Sequence, residues 1–388
     1  LYTDPRGKDE CAKLSSHFGE QSLAYITGTK PHEMYSLPKI MWIKNNLPKQ
    51  YAAARHILLI QDYIVYMLTG AAQIDYSLAA RTICFDIENK CWSDDILDYC
   101  GIDKKLLSTP VPSGTVAGEI KREIADELSI NPNLKIVSGC HDQIAAMTGA
   151  NIFNCGDVMD GTGTVECVPV VMDGIPKEPS LFDCGFSFVP HINGKYACYA
   201  LSYTGGATLK WFRDNFSDKS YAQLDKDVGS LPTDLLIMPH FAGAATPYMD
   251  MNSKAAVIGL TFEHTKADIY KALMEGTAYE IAVNIEVLKR YKLSPQKLVA
   301  TGGGARSSVW LQIKADVLGV PVAALDTEEV GAAGTAYLAG RAAKIYAPDM
   351  QLAHTKITYC PNNENHKFYL KQFEKYEKIY NFSKQILS

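Results

Sequence analysis

Three glycine-rich turns and one aspartate carry most of the chemistry this sequence could perform. Asp160-Gly-Thr-Gly-Thr164 stands just before an apolar run from Val165 to Met172. Its two glycines let the backbone bend tightly and expose amide N–H groups, and its threonines add hydroxyl donors. Such a turn can cradle phosphate oxygens; a plain hairpin turn would have the same spacing. Thr204-Gly-Gly206 opens a helical segment, where free amides and the helix dipole favour an anion. A tightly packed helix start would look the same. Thr301-Gly-Gly-Gly-Ala-Arg-Ser-Ser308 lies between a strand and a helix. Gly302 and Gly304 mimic a dinucleotide fingerprint, with Asp326 at the end of the next strand in place of a ribose-binding acid. Ser307 stands where the third glycine belongs, and the motif lies far from the start of the chain. A turn that clamps a mononucleotide fits as well.

The aspartate is Asp142, in Gly139-Cys-His-Asp-Gln143. It follows a short apolar strand, Lys135 to Ser138, and opens a small-residue helix. A carboxylate there is held ionised by the helix dipole and could take a proton from a substrate hydroxyl. An ordinary N-terminal aspartate is the bland alternative. Cys140 and His141 are sequence neighbours, which on a strand point to opposite faces, so a metal pair or Cys–His dyad is disfavoured.

The elements that must position these residues change character along the chain. The first 110 residues read as mostly helical: Ser36 onward, His56 to Leu68 ended by Gly70, and Trp92 to Tyr99 with Ser93 as N-cap and Gly101 as stop. Pro110 to Gly118 is a Pro/Gly/Ser connector. Beyond it strands alternate with helices, which predicts α/β layers with a mostly parallel sheet. Thr265-Lys-Ala-Asp268 caps a long helix to about Tyr291, and the tail from Asn362 reads as an amphipathic helix docked on the body.

Composition bounds the function. Lys plus Arg is 38 and Asp plus Glu is 43 in 388 residues, a net charge of −5, which argues against a wide nucleic-acid face. No run of 18 apolar residues occurs, so no membrane-spanning helix is expected. Ten scattered cysteines lack zinc-ligand spacing and read as reduced thiols of a cytoplasmic protein.

In series these motifs resemble the FGGY carbohydrate kinases. Met34-Tyr-Ser-Leu-Pro-Lys-Ile-Met-Trp-Ile-Lys-Asn-Asn46 is similar to the first family signature, and Gly139–Gln143 to the Gly-x-x-Asp-Gln/Asn segment. Asp160–Thr164 resembles the phosphate turn. Pro239-His-Phe-Ala-Gly, Thr246-Pro-Tyr and Ala255 through Gly276 resemble the second signature, and Gly302 to Gln312 the adenosine-side loop. Where many members have Gly-Glu-Arg-Thr-Pro, this chain has Gly243-Ala-Ala-Thr-Pro247.

The resemblance implies an actin-like, ribonuclease-H-like α/β fold, with two domains around a cleft. It divides the chain into residues 1–150, the remaining part of a substrate-binding domain, and 151–388, a nucleotide-binding domain with a helical tail. It implies ATP and Mg²⁺, a sugar or polyol substrate, and Asp142 as general base. Gly161, Thr162, Gly163, Gly206, Lys210, Gly303, Gly304 and Ser308 would meet the nucleotide, and Tyr76, Gln143 and Asp75 the substrate. Neither nucleic acid nor membrane is expected as a partner, and a homodimer is left open. The chain opens at a point resembling roughly 80–100 residues into such a kinase, short of part of a domain. On that ground it is expected to be inactive as it stands. A ketose is favoured slightly over a glycerol-like polyol. An NAD-dependent dehydrogenase built on Gly302–Asp326 and a non-catalytic actin-fold binding protein are the readings from other classes.

Overall fold

The computed structural model describes residues 4–176, 180–347 and 350–387. Its largest sheet has seven strands: β1 (Val158–Thr162), β2 (Glu166–Met172), β3 (Ser187–Pro190), β4 (Tyr196–Ser202), β5 (Leu298–Thr301), β6 (Val322–Leu325) and β7 (Thr355–Tyr359). They lie in the order β7-β6-β5-β1-β2-β4-β3. Only β1–β5 and β5–β6 pair in parallel; every other pair is antiparallel. The sheet is therefore mixed, not mostly parallel. The reason is connection length. A turn of a few residues joins β1 to β2 and β3 to β4, and a short turn can only reverse the chain, whereas a parallel neighbour needs a crossover.

The parallel register decides what the sheet can position. Leu298 lies opposite Val158 and Thr301 opposite Gly161, so β5 and β1 end side by side. Two glycine-rich turns therefore leave the same edge of the sheet together. The carboxyl ends of parallel strands are where open α/β sheets bind ligands.

Residues 4 to 150 form short helices and small two-stranded ladders. Ser93 accepts from the Ile96 amide and Gly101 takes the left-handed conformation, as their types predict. The expected helix at His56 begins later, at Ile60, because Ile57 bridges to Leu107 in an extended segment. The last helix of this part, α1 (Asp142–Gly149), starts at the candidate base.

Five further helices matter: α2 (Gly206–Phe216), α3 (Lys266–Lys289), α4 (Ser308–Leu318), α5 (Val330–Ala342) and α6 (Asn363–Tyr376). Thr265 and Asp268 close a capping box on α3. The tail is two helices, not one, and α6 docks through two buried tyrosines. The Tyr369 hydroxyl donates to Glu275 (2.7 Å) and the Tyr376 hydroxyl to Glu280 (2.6 Å), both on α3.

Two hydrophobic cores result. One runs without interruption from Leu14 through Met147, Ile152 and the sheet to Val330. The other joins α2, α3, α4 and the tail, from Leu209 to Tyr380. No helix among the described residues is long and apolar enough to cross a membrane.

Helix α1 meets α5 backbone to backbone. A Cβ on Gly149 would lie 1.9 Å from the Val330 carbonyl oxygen, and one on Gly334 would lie 1.9 Å from that of Ala145. Neither backbone can retreat without moving a whole helix. Gly334→Ala should therefore destabilise the chain by about 2–3 kcal/mol, the upper range for an overpacked contact. Chemical denaturation measures it; an unchanged midpoint would refute the close contact.

Candidate active site

The glycine turns interlock around Thr162. That residue ends β1, and Gly302 and Gly304 lie directly against it. A Cβ on Gly304 would stand 2.6 Å from the Thr162 side chain, so only glycine lets the second turn approach. The third turn ties in through its backbone: the Gly206 amide donates to Gly163 O (2.8 Å) and the Gly205 amide to Thr164 O (3.0 Å). Helix α2 thus begins against the phosphate-type turn, with no side chain capping it.

The three turns open onto a cleft of about 810 Å³. Thr162, Gly163, Gly206, Lys210, Gly303 and Gly304 all line it, and Trp211, Tyr221 and Trp310 add aromatic walls. Lys210 also pairs with Asp214 one turn along α2. Two expected residues do not line the cleft. Gly161 sits within the sheet, between Thr301 and Cys167. Ser308 begins α4 one residue too far on; the serine at the cleft is Ser307. Ser307 accepts from the Trp310 amide (3.1 Å) as N-cap and donates to Asp225 Oδ2 (2.7 Å) across the cleft. Its N-cap signature could have been read from sequence. Asp225, on a short polar helix with no motif, could not.

Beneath the turn lies a charged cluster that the sequence reading missed. Lys314 of α4 is fully buried, and its Nζ meets Asp160 Oδ2 (2.6 Å), Thr162 Oγ1 (2.6 Å) and the Glu166 carboxyl. Burial pushes the Glu166 carboxyl up to about 8, with Asp160 adding to the rise and Lys314 opposing it. The rise favours the protonated form of Glu166 beside the Lys314 ammonium. The available signal was a lone lysine in step with Trp310 and Leu311 on the buried face of a helix.

Asp142 projects from the first turn of α1 with its side chain 83% exposed. Its Oδ1 accepts from the Gln143 amide (2.6 Å) and lies 3.3 Å from His141 Nε2. Burial, then the Arg81 charge, pushes the His141 imidazole down to about 4, against the pull of Asp142. His141 is therefore neutral at pH 7. The Gln143 side-chain oxygen is buried with no hydrogen-bond partner among the described residues. Cys167 feels the charges of Asp142, Asp160 and Glu166, which marks the aspartate and the buried cluster as neighbours.

Asp75 and Tyr76 are placed differently from the substrate contacts expected of them. Asp75 is completely buried, and its carboxylate accepts from Ser77 N (2.8 Å), Ser77 Oγ (2.5 Å), Ser113 Oγ (2.8 Å) and Leu78 N (3.2 Å). Those bonds fill it. Ser77 Oγ in turn accepts from the His141 amide (2.8 Å). Asp75 therefore acts through Ser77 on the segment entering Asp142. Tyr76 stacks on Phe85 and lines a separate cavity of about 450 Å³, which Asp142 does not line. The dinucleotide reading loses its acid, because Asp326 Oδ1 accepts from the His354 amide (2.8 Å).

Glycine turns at the ends of parallel strands, a large cleft and an exposed carboxylate at a nearby helix start define a phosphotransferase of the actin-like ATPase fold. The N-terminal domain of the FGGY family of carbohydrate kinases matches residues 1–149 and its C-terminal domain residues 163–343; the chain belongs to this family. A xylulose kinase of Bacillus subtilis is 28% identical over 396 residues, which span all of this chain and 78% of that protein. A xylulose kinase of Escherichia coli is 24% identical, over 98% of this chain and 79% of that one. Among solved structures, a kinase from Brucella ovis described as a xyloylose kinase superposes with a TM-score of 0.91 at 25% identity, covering 100% of this chain and 80% of its own. A Plasmodium falciparum glycerol kinase with ADP shares the fold, with a TM-score of 0.87 at 20% identity over 98% and 78% of the two chains.

Two outcomes follow from the buried contacts. Lys314→Met leaves two buried carboxyls without their cation and should cost about 3–5 kcal/mol, whereas Glu166→Gln, which mimics the protonated acid, should stay within about 1 kcal/mol. Denaturant midpoints of the two variants compare them; equal losses would refute the protonation assignment. Ser77→Ala removes the hydroxyl that holds the His141 amide and should lower kcat roughly tenfold, the worth of one strong hydrogen bond. KM for ATP should stay constant and Ser77→Thr should restore the rate. A change in KM alone would show that Ser77 does not position Asp142.

Proposed function

We propose that this carbohydrate kinase phosphorylates a hydroxyl of a ketose of the pentulose class, with Asp142 as general base. The observation that carries the catalytic part is the exposed Asp142 carboxylate, held at the start of α1 beside a cleft walled by three glycine turns. The xylulose kinases among the relatives support the ketose.

ATP supplies the phosphoryl group. Gly163, Thr164 and the start of α2 at Gly206 stand where the phosphates would lie, with Lys210 alongside; Gly303, Gly304 and Ser307 stand at the nucleoside end. Asp142 takes the proton of the attacking hydroxyl as its oxygen bonds to the γ-phosphorus and the bond to ADP breaks. Neutral His141 steadies that carboxylate without adding charge, and the unmatched Gln143 oxygen accepts from a substrate hydroxyl. Phosphoryl transfer asks the protein mainly for alignment and charge stabilisation.

Mg²⁺ is expected with ATP. Among the described residues no three His, Cys, Asp or Glu side chains converge on a metal position. The described residues thus form no three-ligand cage for the ion. We also place the protein in the cytoplasm, a reading supported by its ten free cysteines.

The test is ADP release with D-xylulose, other ketoses, gluconate and glycerol as acceptors. A ketose should give the highest kcat/KM. Asp142→Asn should lower kcat by about 10²–10⁴, the usual range for losing a general base, with ADP affinity unchanged. Undiminished turnover of that variant would remove Asp142 from the mechanism, and preference for glycerol would move the substrate to the polyols.

A further inference from the structure

The cavity that holds Tyr76 belongs to neither the nucleotide cleft nor the Asp142 segment. It measures about 450 Å³ and lies between the two halves of the chain. Tyr76, Lys90 and Ser113 come from the first half; His191, Asn193 and Arg341 come from the second. A volume of this size suits a small metabolite.

The charges on its wall are one-sided, because no acidic side chain among the described residues lines it. Among the described residues Arg341 has no carboxylate partner; it donates to the Tyr337 phenol (3.1 Å), and its remaining guanidinium donors meet no acceptor among those residues. Lys90 is half-buried and donates to the Ile87 carbonyl and to the Tyr196 hydroxyl (2.6 Å), with its ammonium 3.9 Å from the Tyr196 ring centre. Burial pushes Lys90 down to about 8, although Asp86 and Glu88 pull it back up. No carboxylate among the described residues lies within ion-pair distance of it. His191 is 6% exposed, and its Nε2 lies 2.8 Å from the Ile152 carbonyl, to which it must donate. Its Nδ1 then remains a buried acceptor with no donor among the described residues.

We infer that this cavity is a binding site for a small metabolite carrying an oxyanion, phosphate or carboxylate. Arg341 presents a planar fork that matches such a group, Lys90 adds charge from the opposite half, and His191 leaves an acceptor for a hydroxyl. A ligand seated there touches both halves at once. Its wall also continues inward: Ser113 donates to Asp75, which leads through Ser77 to the His141 amide. The ligand would therefore stand one hydrogen-bond chain away from Asp142.

The test uses the full chain with ADP present at saturation, so that the nucleotide cleft is occupied. Inorganic phosphate and malonate are titrated separately while thermal stability is followed. At least one should raise the melting temperature saturably; the stronger of the two identifies phosphate or carboxylate as the group read. Arg341→Gln should weaken that response at least tenfold in concentration, and Arg341→Lys, which keeps the charge but loses the fork, should weaken it less. Both variants should keep the stabilisation by ADP, which shows that they fold. No saturable response in the wild type, or the same response in Arg341→Gln, would overturn the site. So would competition between the anion and ADP, which would place the anion in the nucleotide cleft. None of these outcomes bears on the sugar screen, so the two readings fail separately.

Discussion

The burial of Lys314 between Asp160 and Glu166 constrains everything built above it. A charge removed from water is tolerated only when its partners are close and complete. Lys314 reaches both acids and the Thr162 hydroxyl, so the end of β1 is fixed from below. The register of β5 against β1 fixes it from the side. Gly302 and Gly304 then close over Thr162 from α4's end, and Gly206 bonds to Gly163 from α2. A turn held from these directions needs little rearrangement when an anion arrives, which is the condition for effective electrostatic stabilisation.

The carboxylate side is secured by a different device. Helix α1 is pressed against α5 at Gly149 and Gly334, so its far end cannot shift. Its near end is approached by a segment that Asp75 and Ser77 hold through the His141 amide. One core runs from the early helices through α1 into the sheet, so Asp142 and the phosphate-type turn share one packed body. The opposite wall of the cleft, from α2 and Trp310, belongs to the second core. The cleft therefore lies where the two cores meet, with the aspartate outside it and the glycine turns at its floor.

What could be read from sequence was local. Glycine runs at element boundaries declare themselves because few other residues can replace them there, and Ser93, Gly101 and Thr265 mark helix ends by their own side chains or lack of them. Those signals found Asp142 and most of the cleft floor. What failed depended on partners distant in sequence. Lys314 lies 154 residues from Asp160, and nothing near it announces the ion cluster. Asp75 carried the right composition for a ligand contact, but its capacity is filled by Ser77, Leu78 and Ser113. The sheet was read as mostly parallel because helices follow β5 and β6, whereas the short turns after β1 and β3 reverse the chain. Ser308 missed the cleft by one residue, since the N-cap and not the first helical residue faces the turn.

These placements suit the chemistry proposed for them. The transition state of phosphoryl transfer is loose, and little bond formation has occurred when the barrier is crossed. A base in such a reaction gains most from standing where the hydroxyl must be, since a well-oriented group can supply several kcal/mol through alignment alone. The structure accordingly devotes buried groups to fixing the backbone around Asp142, while the carboxylate itself stays open to solvent and to an incoming substrate. On the nucleotide side the emphasis is the same. Lys314 is sealed below the turn, too deep to touch a phosphate, and its effect on a bound anion passes through the rigidity it gives to Thr162 and its neighbours.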